Sequence, residues 1–329
     1  MCNNSVNILV GPQYTIQTIE EFIMLDWMKK ILKMEKNTRD IPLLSVSKVF
    51  SYDDYKMYLG KHQKDYLARR SFEKNLLPNT ETEFTLNGYC YVCKEFVNLL
   101  VDFNYSYAVD GVLTPNWRER LVCPICHLNN RMRATVHIFE QECQPNYDSQ
   151  IYITEQTTPI YNWFSNNYNH VYGSEYLGNS ISYGSSNDGG IRNEDITKLS
   201  FSDAKFDYIL SFDVFEHIPS YKEALKQCFR CLKPNAILFF SVPFVQTSEK
   251  NIVRAYLSES GELKHLLPPE YHGDPLSSDG CLCYYHFGWE ILNELNTIGF
   301  KDANALLYWS QDYGYLGGEQ IIFTATKPI

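Results

Sequence analysis

Residues 191–244 read IRNEDITKLSFSDAKFDYILSFDVFEHIPSYKEALKQCFRCLKPNAILFFSVPF. Phe206–Phe212, FDYILSF, is a short apolar run of the kind that forms a strand buried on both faces. A helix is expected from Pro219 to about Leu232, and a second apolar strand from Ile237 to Val242. Strand, helix and strand in that order are a unit of parallel α/β structure.

The alternation continues on both sides. Upstream come a helix from Met132 (MRATVHIFEQE), a β-rich segment Ile151–Glu155, a helix from Pro159, a strand His170–Glu175 and a short extended stretch near Ile191. Between the last two, Gly178–Gly190 is rich in Gly, Ser and Asn and reads as a loop. Downstream come a helix near Phe287–Ile298, a strand near Ala303–Trp309 and a final strand Gln320–Thr326. The Gly-rich GYLGGEQ, Gly314–Gln320, reads most simply as the turn of a terminal hairpin. The fold class is α/β, a Rossmann-like doubly wound sheet over residues 132–329.

Residues 1–80 form an expected helical segment. Ile16, Ile19, Ile23, Trp27 and Ile31 share a face within 14–35, and a second helix covers roughly 52–74. Its Arg69-Arg70 pair reads as a solvated face. Residues 81–131 hold two C-x2-C pairs, Cys90 with Cys93 and Cys123 with Cys126, which suit the sulfur-only tetrahedral shell of a structural Zn2+ in a small ribbon-like module. Cys228 and Cys231 read as helix packing, and Cys281 and Cys283 as small buried hydrophobes.

The 329 residues carry a net charge of -10, which disfavours nucleic acid as a partner. The amino terminus lacks signal-peptide features and no apolar run approaches the roughly 20 residues of a membrane span, so a cytoplasmic protein without a membrane partner is expected. In that compartment the ten cysteines are not read as a disulfide framework.

Ligands of open α/β sheets collect at the carboxyl ends of the strands. Glu155, Glu175, Asp195 and Asp213 all stand there. An acid after the second strand can accept ribose hydroxyls, and one after the third can meet an adenine amino group, so a nucleoside is implied.

Residues 191–244 resemble class I S-adenosylmethionine-dependent methyltransferases of the type 11 family. The likeness lies in the Glu194-Asp195 pair, the LSF turn, the FDYILSFDV strand, the Glu216-His217 pair and the L-K-P before the next strand. It implies a seven-stranded sheet with a terminal antiparallel hairpin. It also implies ribose on Glu175, adenine on Asp195 with the Ile196 backbone beside it, and further cofactor contacts at Ser211 and Asp213. The family's glycine-rich first loop is replaced by Glu155-Gln156-Thr157-Thr158-Pro159. Thr157 or Thr158 can still cap a helix starting at Pro159, leaving amide groups for the methionine carboxylate.

A base helps when the methyl acceptor is protonated, and His217 and His272 are the candidates. His217 alternatively caps the following helix. Leu267–Trp289 reads as a substrate lid, with Tyr271, Asp274, His286 and Trp289 lining a small-molecule or saccharide acceptor for O- or N-methylation. A second metal site on His272, Asp274 and His286 is an alternative. Two other functions stay open: an RNA methyltransferase whose zinc module presents substrate, and a noncatalytic binding protein on a cofactor-type sheet. Dimerisation through residues 1–80 is also left open.

Overall fold

The computed structural model describes residues 43–79, 83–274 and 276–329. The expected helix at 14–35 lies outside the described residues. Leu44–Ile329 form one compact unit. Strand β1 (Val46–Val49) leads into helix α1 (Tyr52–Asn75), whose N-cap Ser51 accepts the Asp54 amide. A hairpin of β2 (Phe84–Cys90) and β3 (Glu95–Val101) follows, then a smaller one of β4 (Tyr107–Val109) and β5 (Val112–Thr114).

The sheet is built from β6 (Gln150–Ile153), β7 (His170–Gly173), β8 (Phe206–Phe212), β9 (Leu232–Ser241), β16 (Lys301–Ser310), β17 (Tyr315–Thr326) and β1, in the order β1-β16-β17-β9-β8-β6-β7. From β9 outward through β8 and β6 to β7 every pairing is parallel; β9–β17, β17–β16 and β16–β1 are antiparallel. The short pieces β10 (Ile252–Val253), β11 (Ala255–Leu257), β12 (Leu263–His265), β13 (Tyr271–Asp274), β14 (Ser277–Leu282) and β15 (Tyr285–His286) make small ribbons between β9 and β16. Helices α2 (Asn130–Ile138) and α3 (Pro159–Asn167) cover one face through Ile138, Ile160 and Phe164. Helices α4 (Tyr221–Cys231) and α5 (Glu290–Ile298) cover the other through Leu225, Cys228, Ile291 and Leu295. Cys228 and Cys231 are fully buried there, as helix packing requires.

The extended stretch expected near Ile191 adds no strand to the sheet. The segment contributes one parallel bridge, Asn193 to Glu175. Asn193's side chain accepts the Leu177 amide (2.8 Å) and donates to the Gly178 carbonyl (2.9 Å), so a side chain makes bonds that a ladder would otherwise supply. The seventh place in the sheet goes to β1, whose VSKV is too short to announce itself by pattern.

Three further expectations change. The turn of the terminal hairpin is Gln311–Gly314, and Gly317 and Gly318 lie inside β17 with positive φ. Their amides donate to buried Glu73 of α1 (2.9 and 3.1 Å), and a Cβ on Gly317 would stand 3.0 Å from that of Trp117. The glycines therefore seat α1 and the Trp117 segment, which leads to the second cysteine pair, against the sheet. Arg69 is not a solvated charge: it pairs with buried Glu319 (2.8 Å) and lies over the Trp309 ring. Trp289 turns inward, its indole donating to the Gln246 carbonyl (2.8 Å) and its ring packing on Tyr55 and Phe244.

Gly173 closes β7 where the backbone passes the first loop. A Cβ there would strike the Tyr161 ring and lie 2.8 Å from the Glu155 carbonyl oxygen. Gly173→Ala is expected to cost about 1–3 kcal/mol, read as a lowered denaturation midpoint, because backbone cannot give way as a side chain would. Among the described residues, no helix is long and apolar enough to cross a membrane.

Candidate active site

The carboxyl ends of β6, β7 and β8 meet at one edge. Glu155 follows β6 and is partly buried; its Oε1 is sealed from solvent with no hydrogen-bond partner. Burial pushes its carboxyl up to about 7, against the pull of the Thr158 hydroxyl and Arg131. Thr158 is the N-cap of α3, accepting the Tyr161 amide (3.3 Å), with Pro159 in the first turn.

The glycine-free loop is held by side chains. Glu175 Oε1 accepts the Gln156 amide (2.8 Å), the Thr157 amide (3.0 Å) and the Thr157 hydroxyl (2.8 Å). Those amides are thus occupied and do not stand free for a carboxylate. Gln156 also ties the loop to the third segment, donating to the Gly190 carbonyl (3.0 Å) and accepting the Arg192 amide (2.7 Å). Of the Glu194-Asp195 pair, Glu194 is buried and receives Arg192 (2.7 Å) and Ser200 (2.6 Å). Asp195 is partly buried, its Oδ1 accepting the Thr197 amide (2.8 Å) and hydroxyl (2.7 Å). Ile196 is core, and Ser211 is wholly buried, accepting the Thr154 hydroxyl (3.0 Å), so Ser211 supports the strands from within.

Asp213, one residue past β8, has φ +55° and a carboxylate gripped from elsewhere in the chain. Arg118 Nη2 reaches both of its oxygens (3.1 and 2.8 Å), Arg131 Nη1 lies at 3.5 Å and the Ser241 hydroxyl donates at 2.8 Å. These arginines hold the carboxyl well below the usual aspartate range even though burial opposes ionisation. Both arginines also engage Glu119. Arg118 and Arg131 were not among the residues singled out in the sequence; the basic runs flanking the second cysteine pair, RER and RMR, were the available signal.

The four cysteines converge, with Cys90 and Cys126 sulfurs 3.8 Å apart, Cys93 and Cys123 sulfurs 3.7 Å apart, and all four within 4.8 Å. Cys90 ends β2 and the turn to β3 carries Cys93, while Leu100 and Val122 exchange backbone bonds (2.8 and 2.9 Å) that bring the second pair alongside. Four thiols at such spacing fit a tetrahedral thiolate shell.

Over the edge lies the segment expected as a lid. Its backbone is pinned to the turn after β8 by the Tyr284 amide on the Glu216 carbonyl (2.7 Å). His217 Nδ1 donates to the Leu282 carbonyl (2.9 Å) and its Nε2 stands 3.5 Å from Glu216 Oε1. Glu216 is wholly buried and burial raises its pKa. His272 stands edge-on to His217, ring centroids 5.0 Å apart. Contacts with Cys283, Glu216 and Glu270 push His272 up to about 11, so it is held as a cation. Cys283 is therefore no mere hydrophobe, although it is fully buried. His286 Nε2 meets Glu270 (3.0 Å), whereas Asp274 takes the Leu276 amide (2.8 Å) and the Cys281 thiol (3.5 Å), and Tyr271 is exposed.

Residues 157–240 match a family described as a methyltransferase domain. Among solved structures, the chain is similar to an S-adenosylmethionine-dependent methyltransferase from Listeria monocytogenes, at 14% identity over 60% of this chain and 99% of that one, with a TM-score of 0.35. It is likewise similar to one from Mesorhizobium loti, at 14% identity over 57% and 95%, TM-score 0.35. A third is the Burkholderia thailandensis 1,6-didemethyltoxoflavin-N1-methyltransferase with its bound substrate and S-adenosylhomocysteine, at 13% identity over 60% and 78%, TM-score 0.36. No curated protein matches. Residues 157–240 of this chain thus carry the likeness to a methyltransferase domain.

Proposed function

We propose that the protein methylates an oxygen or nitrogen of a small-molecule or saccharide acceptor in the cytoplasm, with Zn2+ held structurally by the four cysteines of residues 81–131. The observation that supports this acceptor class is the use made of the arginines in and just after the module. Arg118 and Arg131 face Asp213 and Glu119, Arg120 pairs with Asp102, and buried Arg133 donates to the Tyr313 and Leu121 carbonyls. Guanidinium groups spent on internal acids and carbonyls leave little for a phosphate backbone, which argues against the RNA reading.

In this reading the partly buried Glu155 meets the methionine ammonium, and Glu175 offers ribose its second oxygen while the first keeps the loop closed. Asp195 faces the adenine. S-Adenosylmethionine supplies an activated methyl group, so the chain's work is alignment and exclusion of water. With its Nδ1 proton directed at Leu282, His217 keeps Nε2 as the basic nitrogen, and Glu216 steadies the imidazolium formed when it takes the acceptor's proton. His272, already cationic, is the poorer base.

The test is a melting curve with S-adenosylhomocysteine. The parent protein is expected to gain several degrees at saturating ligand, and Asp195→Ala to weaken binding about tenfold through loss of a polar contact. Unchanged affinity in that variant would remove Asp195 from the site. No shift in the parent would favour the noncatalytic alternative.

A further inference from the structure

Beside His217, the segment above the sheet edge gathers donors that alignment of a methyl group does not use. Glu270, His272 and Cys283 present ligand atoms that all lie within 4.8 Å of one another. Glu270 Oε1 stands 3.0 Å from His272 Nε2 and 3.0 Å from His286 Nε2. Its other oxygen is taken by Arg254 at 3.0 Å, which leaves Oε1 directed at the cluster. Cys283 is fully buried, its thiol donating to the Tyr285 carbonyl (3.2 Å). Sulfur, imidazole nitrogen and carboxylate oxygen together are the donor set of a borderline divalent ion such as zinc.

A second observation points the same way. Behind His272, its Nδ1 faces Glu216 Oε1 at 3.5 Å. Glu216 is wholly buried, and neither carboxylate oxygen has a hydrogen-bond partner closer than the 3.5 Å approaches of His217 and His272. An imidazole bound to a metal commonly turns its other ring nitrogen on a carboxylate, which fixes the tautomer and strengthens the ligand. Glu216 occupies that place behind His272.

We propose that Glu270, His272 and Cys283 bind a divalent transition-metal ion, Zn2+ foremost, next to the Glu216–His217 turn and separate from the four-cysteine centre. The ion displaces the Cys283 thiol proton and the proton on His272 Nε2, both released to solvent. Three protein ligands leave a position for a water or an acceptor hydroxyl, and His286 borders it. Building on the methyl-transfer reading, this names the acceptor atom as a hydroxyl oxygen, since coordination to zinc eases removal of its proton. Metal binding itself does not depend on that reading.

Zinc per chain, measured on the purified 329-residue chain with Zn2+ as the only probe, tests the site. Cys283→Ala is expected to hold about one ion fewer than the parent, and Cys93→Ser to lose about one ion of its own from the other centre. Equal zinc in the parent and Cys283→Ala overturns the proposal. Should that variant fail to fold, Glu270→Gln, which keeps shape and removes the charge, decides in the same way. S-Adenosylhomocysteine melting of the same samples reads cofactor binding separately, so loss of one reading is not mistaken for loss of the other.

Discussion

Cys93→Ser should release the ion from the four-cysteine centre and lower stability by about 3–5 kcal/mol or more, seen as zinc loss together with a depressed melt. The effect is large because the ion would do the work of a core that the module hardly has. Cys90 and Cys123 are fully buried, in a small cluster whose other buried members are Val97, Leu99, Val101, Trp117, Leu121 and Leu316. The loss would also spread. Asn130, at the start of α2, donates to the carbonyls of both Trp117 (3.0 Å) and Leu316 (2.8 Å), and Arg118 follows Trp117 directly to Asp213. Loosening the cysteine turns should therefore weaken cofactor binding at a site they do not touch. Retained zinc in this variant would contradict the assignment of Cys93 as a ligand.

Asp213→Ala is expected to cost about 3–5 kcal/mol and to cut methyl transfer severely, because two guanidinium groups at the site's edge lose their shared anion. Asp213→Asn separates the causes: asparagine tolerates the positive φ and can still accept from Ser241, so what it loses is charge. The pH dependence has a definite sign. The folded-state pKa of Asp213 lies below its unfolded value of about 3.9, so its stabilisation is complete well above that pH and drains away as the pH falls through and below it. Acid melts of Asp213→Asn should accordingly be flatter than those of the parent between about pH 5 and pH 2. Parallel curves would mean that the arginines do not depend on this carboxylate.

The parts of the fold legible in the sequence are those in which local pattern and burial agree. FDYILSF is β8 to the residue, Pro159 opens α3 behind the cap at Thr158, and the two C-x2-C pairs converge. What was not legible depended on side chains acting where backbone periodicity gives no trace. Asn193 replaces a strand's ladder with its amide group, and β1 earns its place by pairing with β16 over four residues. The glycines at 314–318 looked like a turn because positive φ is the usual reason for such runs; their partners, Glu73 and Trp117, lie more than a hundred residues upstream. At the site, carboxylates at strand ends were visible as a pattern, but their commitments were not. Arg118 and Glu270 come from segments whose composition carries no periodic signal, Arg131 stands one residue before the expected start of its helix, and Cys283 alternates with Cys281 as any buried strand residue would.

The loop between β6 and α3 bears on how fast a ligand can arrive. A glycine-rich loop would have to be ordered around its guest, whereas this loop is already latched by three bonds to one oxygen of Glu175 and by Gln156 to the segment beyond. Little conformational entropy is left to surrender on that side when a nucleoside docks. On the other side, the Tyr284 amide on the Glu216 carbonyl ties Leu267–Trp289 to the turn after β8, so that wall too is set before a ligand arrives.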